Sequence, residues 1–148
     1  MEKLYRHILI PLDGSKLAEG ALKHALPVAQ ASRAKVTFLS AVWPFVKGKR
    51  ARVTETEERL SAEALAYMKK IAGRREWKRL AVRMEVKFGL AENVILDYAR
   101  LRGVDLIVLS THGRTGLKRW VFGSVAEKVL RGAKTEVLLV RSFAKSGK

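Results

Sequence analysis

The chain has 148 residues, 48% of them hydrophobic, which is one domain's worth of sequence with material for a real core and too apolar for a disordered chain. Cysteine is absent, which excludes a disulfide framework, thiolate metal ligation and a cysteine nucleophile. Thirty Lys and Arg against fourteen Asp and Glu give a net charge of +16, a surface that attracts polyanions such as nucleic acid, anionic lipid and nucleotide phosphates.

Taken in order, Ile8 to Leu12 reads as a buried strand that runs into the turn Pro11-Leu12-Asp13-Gly14. Ser15 is placed to cap a helix with Ala18, Ala21, Leu22, Ala25 and Ala29 on one face, and Pro27 is expected to kink or break it near its last turn. Val36 to Val42 is a second strand, followed by a basic, mobile loop over 44–53. Thr54 and Glu57 have capping-box spacing and open a helix whose apolar stripe is Leu60, Ala64, Tyr67, Met68 and Ile71. A basic turn from Gly73 to Arg79 contains Trp77. Val82, Met84, Val86 and Phe88 then alternate with Arg83, Glu85 and Lys87, the pattern of a half-exposed edge strand. After Gly89 comes a helix with Ala91, Val94, Ile95 and Tyr98 inward, ending near Gly103. Leu106 to Leu109 is a short buried strand. Ser124 and Glu127 form a second capping box, opening a helix with Ala126, Val129, Leu130 and Ala133 inward. Glu136 to Val140 is the last strand, and 143–148 is a polar tail.

Strands alternating with helices predict β-α-β units and a parallel sheet covered on both faces, an α/β fold within one domain over 1–148. Five strands fit the doubly wound order 3-2-1-4-5, whose switch point lies between the first and fourth strands; ligands bind beyond the carboxyl ends there. Asp13 ends the first strand and Ser110 the fourth, so both polar turns converge on one crevice. The apolar run at the N-terminus is too short for a signal peptide core and no stretch is long enough to span a membrane, which predicts a soluble, cytoplasmic protein with no membrane role.

The stretch from Asp105 to Ala133 carries the chemistry. A strand end, Ser110-Thr111-His112-Gly113, is followed after nine residues by Gly123-Ser124 and a helix start. The first turn of a helix has backbone N–H groups without intrahelical partners and the positive end of the dipole, so it attracts anions. Gly113 and Gly123 allow close approach to a ligand or positive φ, and Arg114, Lys118 and Arg119 supply cations for phosphate. The pattern is neither G-x-x-x-x-G-K-[ST] nor G-x-G-x-x-G. An ordinary strand-to-helix connection with glycines at turns is the alternative.

These residues resemble the signature of the universal stress protein family, G-x-x-G, nine residues, then G-[ST]. HILIPLDGS resembles the family's first strand and turn, and GLAENVILDYAR its third helix, so the likeness covers nearly the whole chain in order. One position departs: Ser110 stands where the family has its first glycine, adding a Cβ and a hydroxyl able to donate to a ligand. Family members divide into those that bind ATP through this motif and those that lack it and do not. The resemblance implies a Rossmann-like sheet in the order 3-2-1-4-5 and ATP bound with Mg²⁺ or Mn²⁺ at the switch point. It also implies that the backbone around Pro11, Leu12 and Ala41 flanks the adenine. Leu109, Ser110, His112, Gly113, Arg114 and Thr115 would then line the sugar and phosphates, with Gly123, Ser124 and Val125 at the helix start. Asp13 would accept from a ribose hydroxyl or help hold the metal ion; an Asx turn is its other reading.

His112 is the candidate base for ATP hydrolysis, or else a donor that shapes the loop, while His7 and His24 read as structural. The last strand, Val137 to Val140, is apolar on both faces at a sheet edge; with the family habit, this predicts a homodimer through that edge. The function expected is a nucleotide-responsive regulatory module with at most slow ATP hydrolysis. The alternative is a non-catalytic adaptor that holds nucleic acid or an acidic protein on its basic surface without nucleotide.

Overall fold

The computed structural model describes residues 4–43, 53–111 and 123–141. In chain order the elements are β1 (His7–Pro11), α1 (Lys16–Ser32), β2 (Lys35–Val42), α2 (Val53–Ala72), a 3-10 turn at Arg75–Trp77, β3 (Val82–Phe88), α3 (Ala91–Leu101), β4 (Leu106–Ser110), α4 (Ser124–Gly132) and β5 (Glu136–Val140). The five strands form one parallel sheet in the order β3-β2-β1-β4-β5. Most of the loop expected over 44–53, the Thr54 side chain and the 143–148 tail lie outside the described residues, and Val53 already belongs to α2.

Side chains alternate across a strand, and here the alternation sorts the core into two layers. Ile8, Ile10, Val36, Phe38, Leu106 and Val108 pack with Ala21, Leu22, Ala25 and Ala29 of α1 and Met68 and Ile71 of α2. Leu9, Leu39, Ile107 and Leu109 pack on the other face with Val94, Ile95, Tyr98 and Ala99 of α3 and Ala126 and Val129 of α4. Trp77 joins the first layer, its ring edge-on to Phe38 with centroids 5.2 Å apart.

Three local expectations change. α1 runs unbroken through Pro27 to Ser32; Pro27 is exposed, so water is available to the Lys23 carbonyl that loses its donor. Phe88, at the end of β3, and Leu130, on α4, are exposed rather than inward, because at the sheet edge and on the short α4 no element among the described residues covers them. The Ser124–Glu127 capping box does not form: Gly123 is the N-cap, Ser124 is the first helical residue, and Glu127 pairs with Arg131 at 2.8 Å.

At the strand starts, a buried polar chain crosses the second layer. His7 Nδ1 donates to the Arg102 carbonyl at 3.2 Å, so the neutral ring accepts at Nε2 from the Thr37 hydroxyl, 2.7 Å away, with the Tyr98 hydroxyl 3.4 Å behind it. Burial holds the His7 ring's proton affinity below the ordinary histidine value of 6.5; the hydrogen bond to the Arg102 backbone carbonyl and the Asp105 carboxylate oppose this, while the charges of Lys35 and Arg83 push the same way as burial. Above 6.5 neither folded nor unfolded chain binds this proton; below it the unfolded chain binds more, so stability falls as pH drops from 6.5 through the lower folded value. Urea unfolding at pH 7.5 and 5 is expected to show that loss in the native protein and a smaller one in His7→Gln. Equal losses in both would assign the pH dependence to other groups.

Candidate functional site

The turn after β1 is built by short-range hydrogen bonds. Gly14 takes φ +86°, a left-handed conformation that favours glycine. Asp13 Oδ1 accepts from the Ser15 N–H at 2.9 Å and from the Ser15 hydroxyl, forming the Asx turn. Ser15 Oγ in turn accepts from the Ala18 N–H at 3.1 Å and caps α1. Leu12 is fixed against β2 by its N–H to the Leu39 carbonyl, 2.9 Å.

The turn after β4 is held from both sides. The Thr111 N–H donates to the Val140 carbonyl at 3.0 Å, and the Thr111 carbonyl accepts from the Gly123 N–H at 2.6 Å. Thr111 and Gly123 therefore meet across the base of the connection, and α4 starts there. Gly123 has φ −57° and ψ 145°, open to any residue, so its conformation does not call for glycine and close approach remains the reason for one. Because Gly123 has no side chain, α4 has no side-chain cap. The N–H groups of Ser124, Val125 and Ala126 belong to the first turn and have no intrahelical acceptor.

Between the two turns lies a crevice of about 310 Å³, open at one side. Of the residues expected in the site, Pro11, Leu12, Asp13, Ala41, Leu109, Ser110, Gly123, Ser124 and Val125 line it together. His112, Gly113, Arg114 and Thr115 lie outside the described residues. The crevice also has an apolar wall that sequence reasoning missed, made by Ala18, Leu39, Ala91, Ile95 and Ala126, with Thr111 beside the motif. Small aliphatic residues carry no chemical signature; the pairing of Pro11 with Leu39 across β1 and β2 and the start of α3 bring them there.

Ser110 is turned toward α1. Its hydroxyl donates to the Leu17 carbonyl at 2.7 Å, with the Ala18 carbonyl at 3.4 Å, and so ties the end of β4 to the first turn of α1 across the switch point. The crevice forms with the serine Cβ in place. On the sheet face that α3 and α4 share, Lys128 of α4 meets Glu92 of α3 at 3.1 Å. Glu92's own backbone N–H first, and then Lys128, hold that carboxyl below its ordinary proton affinity.

The arrangement provides an apolar slot, one carboxylate at Asp13, and an uncapped helix N-terminus at the far side, in a size suited to a small organic anion. Among the described residues no cluster of three His, Cys, Asp or Glu side chains is set to hold a metal ion by itself, so a divalent cation here would rest mainly on ligand phosphates, with Asp13 as the protein's carboxylate. Among the described residues no helix is long and apolar enough to cross a membrane.

Comparison with known proteins bears on the family and the fold. The model of the "Universal stress protein family" matches residues 4–141. A universal stress protein of Methanocaldococcus jannaschii is 38% identical over 146 residues, covering 95% of this chain and 84% of the relative. The solved universal stress protein UspA from Lactobacillus plantarum is similar with a TM-score of 0.78 at 29% identity, covering 93% of this chain and 98% of that one. A universal stress protein crystallised in complex with cAMP shares the fold, with a TM-score of 0.62 at 23% identity over 93% of this chain and 98% of that one. With a family model matched from β1 to β5 and a relative at this identity, the chain belongs to the universal stress protein family.

Proposed function

We propose that the switch-point crevice binds ATP with Mg²⁺ or Mn²⁺ and that the protein is a nucleotide-responsive regulatory module with at most slow hydrolysis. The observation that carries this reading is the uncapped start of α4, whose free N–H groups at Ser124, Val125 and Ala126 face a crevice with an apolar wall. The phosphates would lie on that helix end and the adenine against Leu39, Ala41, Ala91 and Ile95. A fold relative crystallised with cAMP supports an adenine ligand. Asp13 keeps a second carboxylate oxygen for a ribose hydroxyl or the cation while Oδ1 shapes the turn. Ser110, engaged by α1, stands beside the ligand without needing to contact it. The β5 edge, where Leu138 is exposed, is the proposed contact between two copies.

The test is the melting temperature with and without Mg-ATP, after a high-salt wash and beside tripolyphosphate and GTP. At a hundred times its dissociation constant a ligand adds about 2.7 kcal/mol, a rise of several degrees in a domain this size. The expected result is a shift with Mg-ATP well above both controls, in a species whose mass by light scattering is that of a dimer. Equal shifts with all three would reduce the site to charge attraction and overturn the adenine reading.

A further inference from the structure

The crevice lies at the carboxyl ends of the strands, and the opposite end of the sheet carries a second feature. Every strand is introduced by a cation: Arg83 is the second residue of β3, Lys35 the first of β2, and Arg6, Arg102 and Lys134 precede β1, β4 and β5. Sheet pairing and two hydrogen bonds, one between backbones and one from the His7 ring, bring these starts to one rim. The Lys35 N–H donates to the Arg6 carbonyl at 2.9 Å, and the Arg102 carbonyl accepts from His7 at 3.2 Å. With neighbouring strands about 4.8 Å apart, the row spans about 20 Å. All five side chains are exposed. The Arg102 guanidinium carbon sits 6.0 Å from the centre of the Tyr98 ring, which leaves it at the surface of the polar chain that crosses beneath.

The row differs from the rest of the basic surface in its partners. Among the described residues the ion pairs are Arg74–Glu19, Lys87–Glu85, Arg100–Asp97, Lys128–Glu92 and Arg131–Glu127, and none includes a member of the row. Two carboxylates at the rim are occupied otherwise. Asp105 accepts the backbone N–H groups of Arg6 and His7 at 2.8 and 2.9 Å, and Glu136 accepts the Tyr5 hydroxyl at 2.6 Å. The helix C-termini that end here contribute about half a negative charge each, too little to offset five cations flanked by Arg33, Lys78 and Arg79.

We infer that this rim is a nucleic-acid docking surface that follows a sugar-phosphate backbone without reading its sequence. A line of unpaired cations complements a linear polyanion, and three of the five are arginines, whose forks pair bidentately with phosphate. The surface is separate from the crevice, so docking is independent of nucleotide.

The experiment is fluorescence anisotropy of a labelled 20-nucleotide single strand across a salt series, with saturating Mg-ATP present and absent. Five phosphate contacts give a slope of about −3.5 in log K against log salt. The variant Lys35→Glu/Arg83→Glu/Arg102→Glu is expected to flatten that slope to about −1.4 and to weaken binding at least tenfold at moderate salt. A control with the same charge change elsewhere, Lys23→Glu/Arg59→Glu/Lys87→Glu, should keep the native slope. Glutamine at the three rim positions repeats the test if the reversal fails to fold. Equal weakening by rim and control variants would reduce binding to net charge and overturn the inference. Competition by Mg-ATP would move it to the crevice, and capture by anionic vesicles but not by the oligonucleotide would assign the rim to a membrane surface.

Discussion

Trp77→Ala is expected to destabilise the fold by about 3–5 kcal/mol, the range for deleting a large buried aromatic, and to lower the melting temperature by roughly 10 °C. Trp77 is only 2% exposed, although it sits in a short turn between α2 and β3. Its N–H donates to the Arg74 carbonyl at 3.0 Å and its carbonyl accepts from the Leu80 N–H at 3.1 Å, so the turn has little freedom to collapse into the space an alanine would leave. The indole meets Phe38 edge to face at 78° and shares its layer with Met68 and Ile71, so the loss reaches α2 and β2 together. Trp77→Phe, which keeps an aromatic edge, should cost about half as much. Urea unfolding of the three proteins measures this, and a cost under about 1 kcal/mol for the alanine would show that the ring does not close the core.

Gly123→Val is expected to remove nucleotide stabilisation while leaving the fold intact. The backbone at Gly123 lies in the extended region, where a β-branched residue is at ease, so the apo protein should lose no more than about 1 kcal/mol through the weaker N-cap. The new methyl groups stand at the crevice rim beside Thr111 and Ser124, over the N–H groups proposed to hold phosphate. A hundredfold loss of affinity would shrink the stabilisation from about 2.7 to about 0.4 kcal/mol at the same ATP concentration. Calorimetric titration with Mg-ATP gives the affinity directly. An undiminished shift in the valine variant would place the nucleotide elsewhere on the molecule.

Much of this architecture was legible in the residues because each strand and helix announces itself locally. The apolar run Leu106 to Leu109, the alternation through β3, and Ser15 ahead of an alanine-rich face all report on their own neighbourhood, and the alternation of elements then dictates a parallel sheet. What was misread depends on contacts between distant segments. Leu130 fits the period of α4 as well as Val129 does, yet only Val129 meets the sheet. Ser124 matches a capping box, but Gly123, whose N–H is taken by the Thr111 carbonyl, is the N-cap, and the helix begins one residue earlier than the pattern suggests. The crevice wall of Leu39, Ala91 and Ile95 is likewise a product of strand register and helix placement. Ser110 lines the crevice, and the partner of its hydroxyl, the Leu17 carbonyl of α1, lies 93 positions away and could not be read locally.

That distance has a consequence for when the site comes into being. β1 pairs with β2 across a single helix, and β2 with β3 after the next, so these strands can assemble while the chain is still being synthesised. β1 pairs with β4 only after roughly a hundred residues have been made, a costly closure of the kind that slows parallel sheets. The two turns that frame the crevice come from the two sides of that β1–β4 junction. An early, partly assembled chain thus has a hydrophobic layer and helices but no crevice, and competence to bind a ligand arrives only once β4 has joined β1.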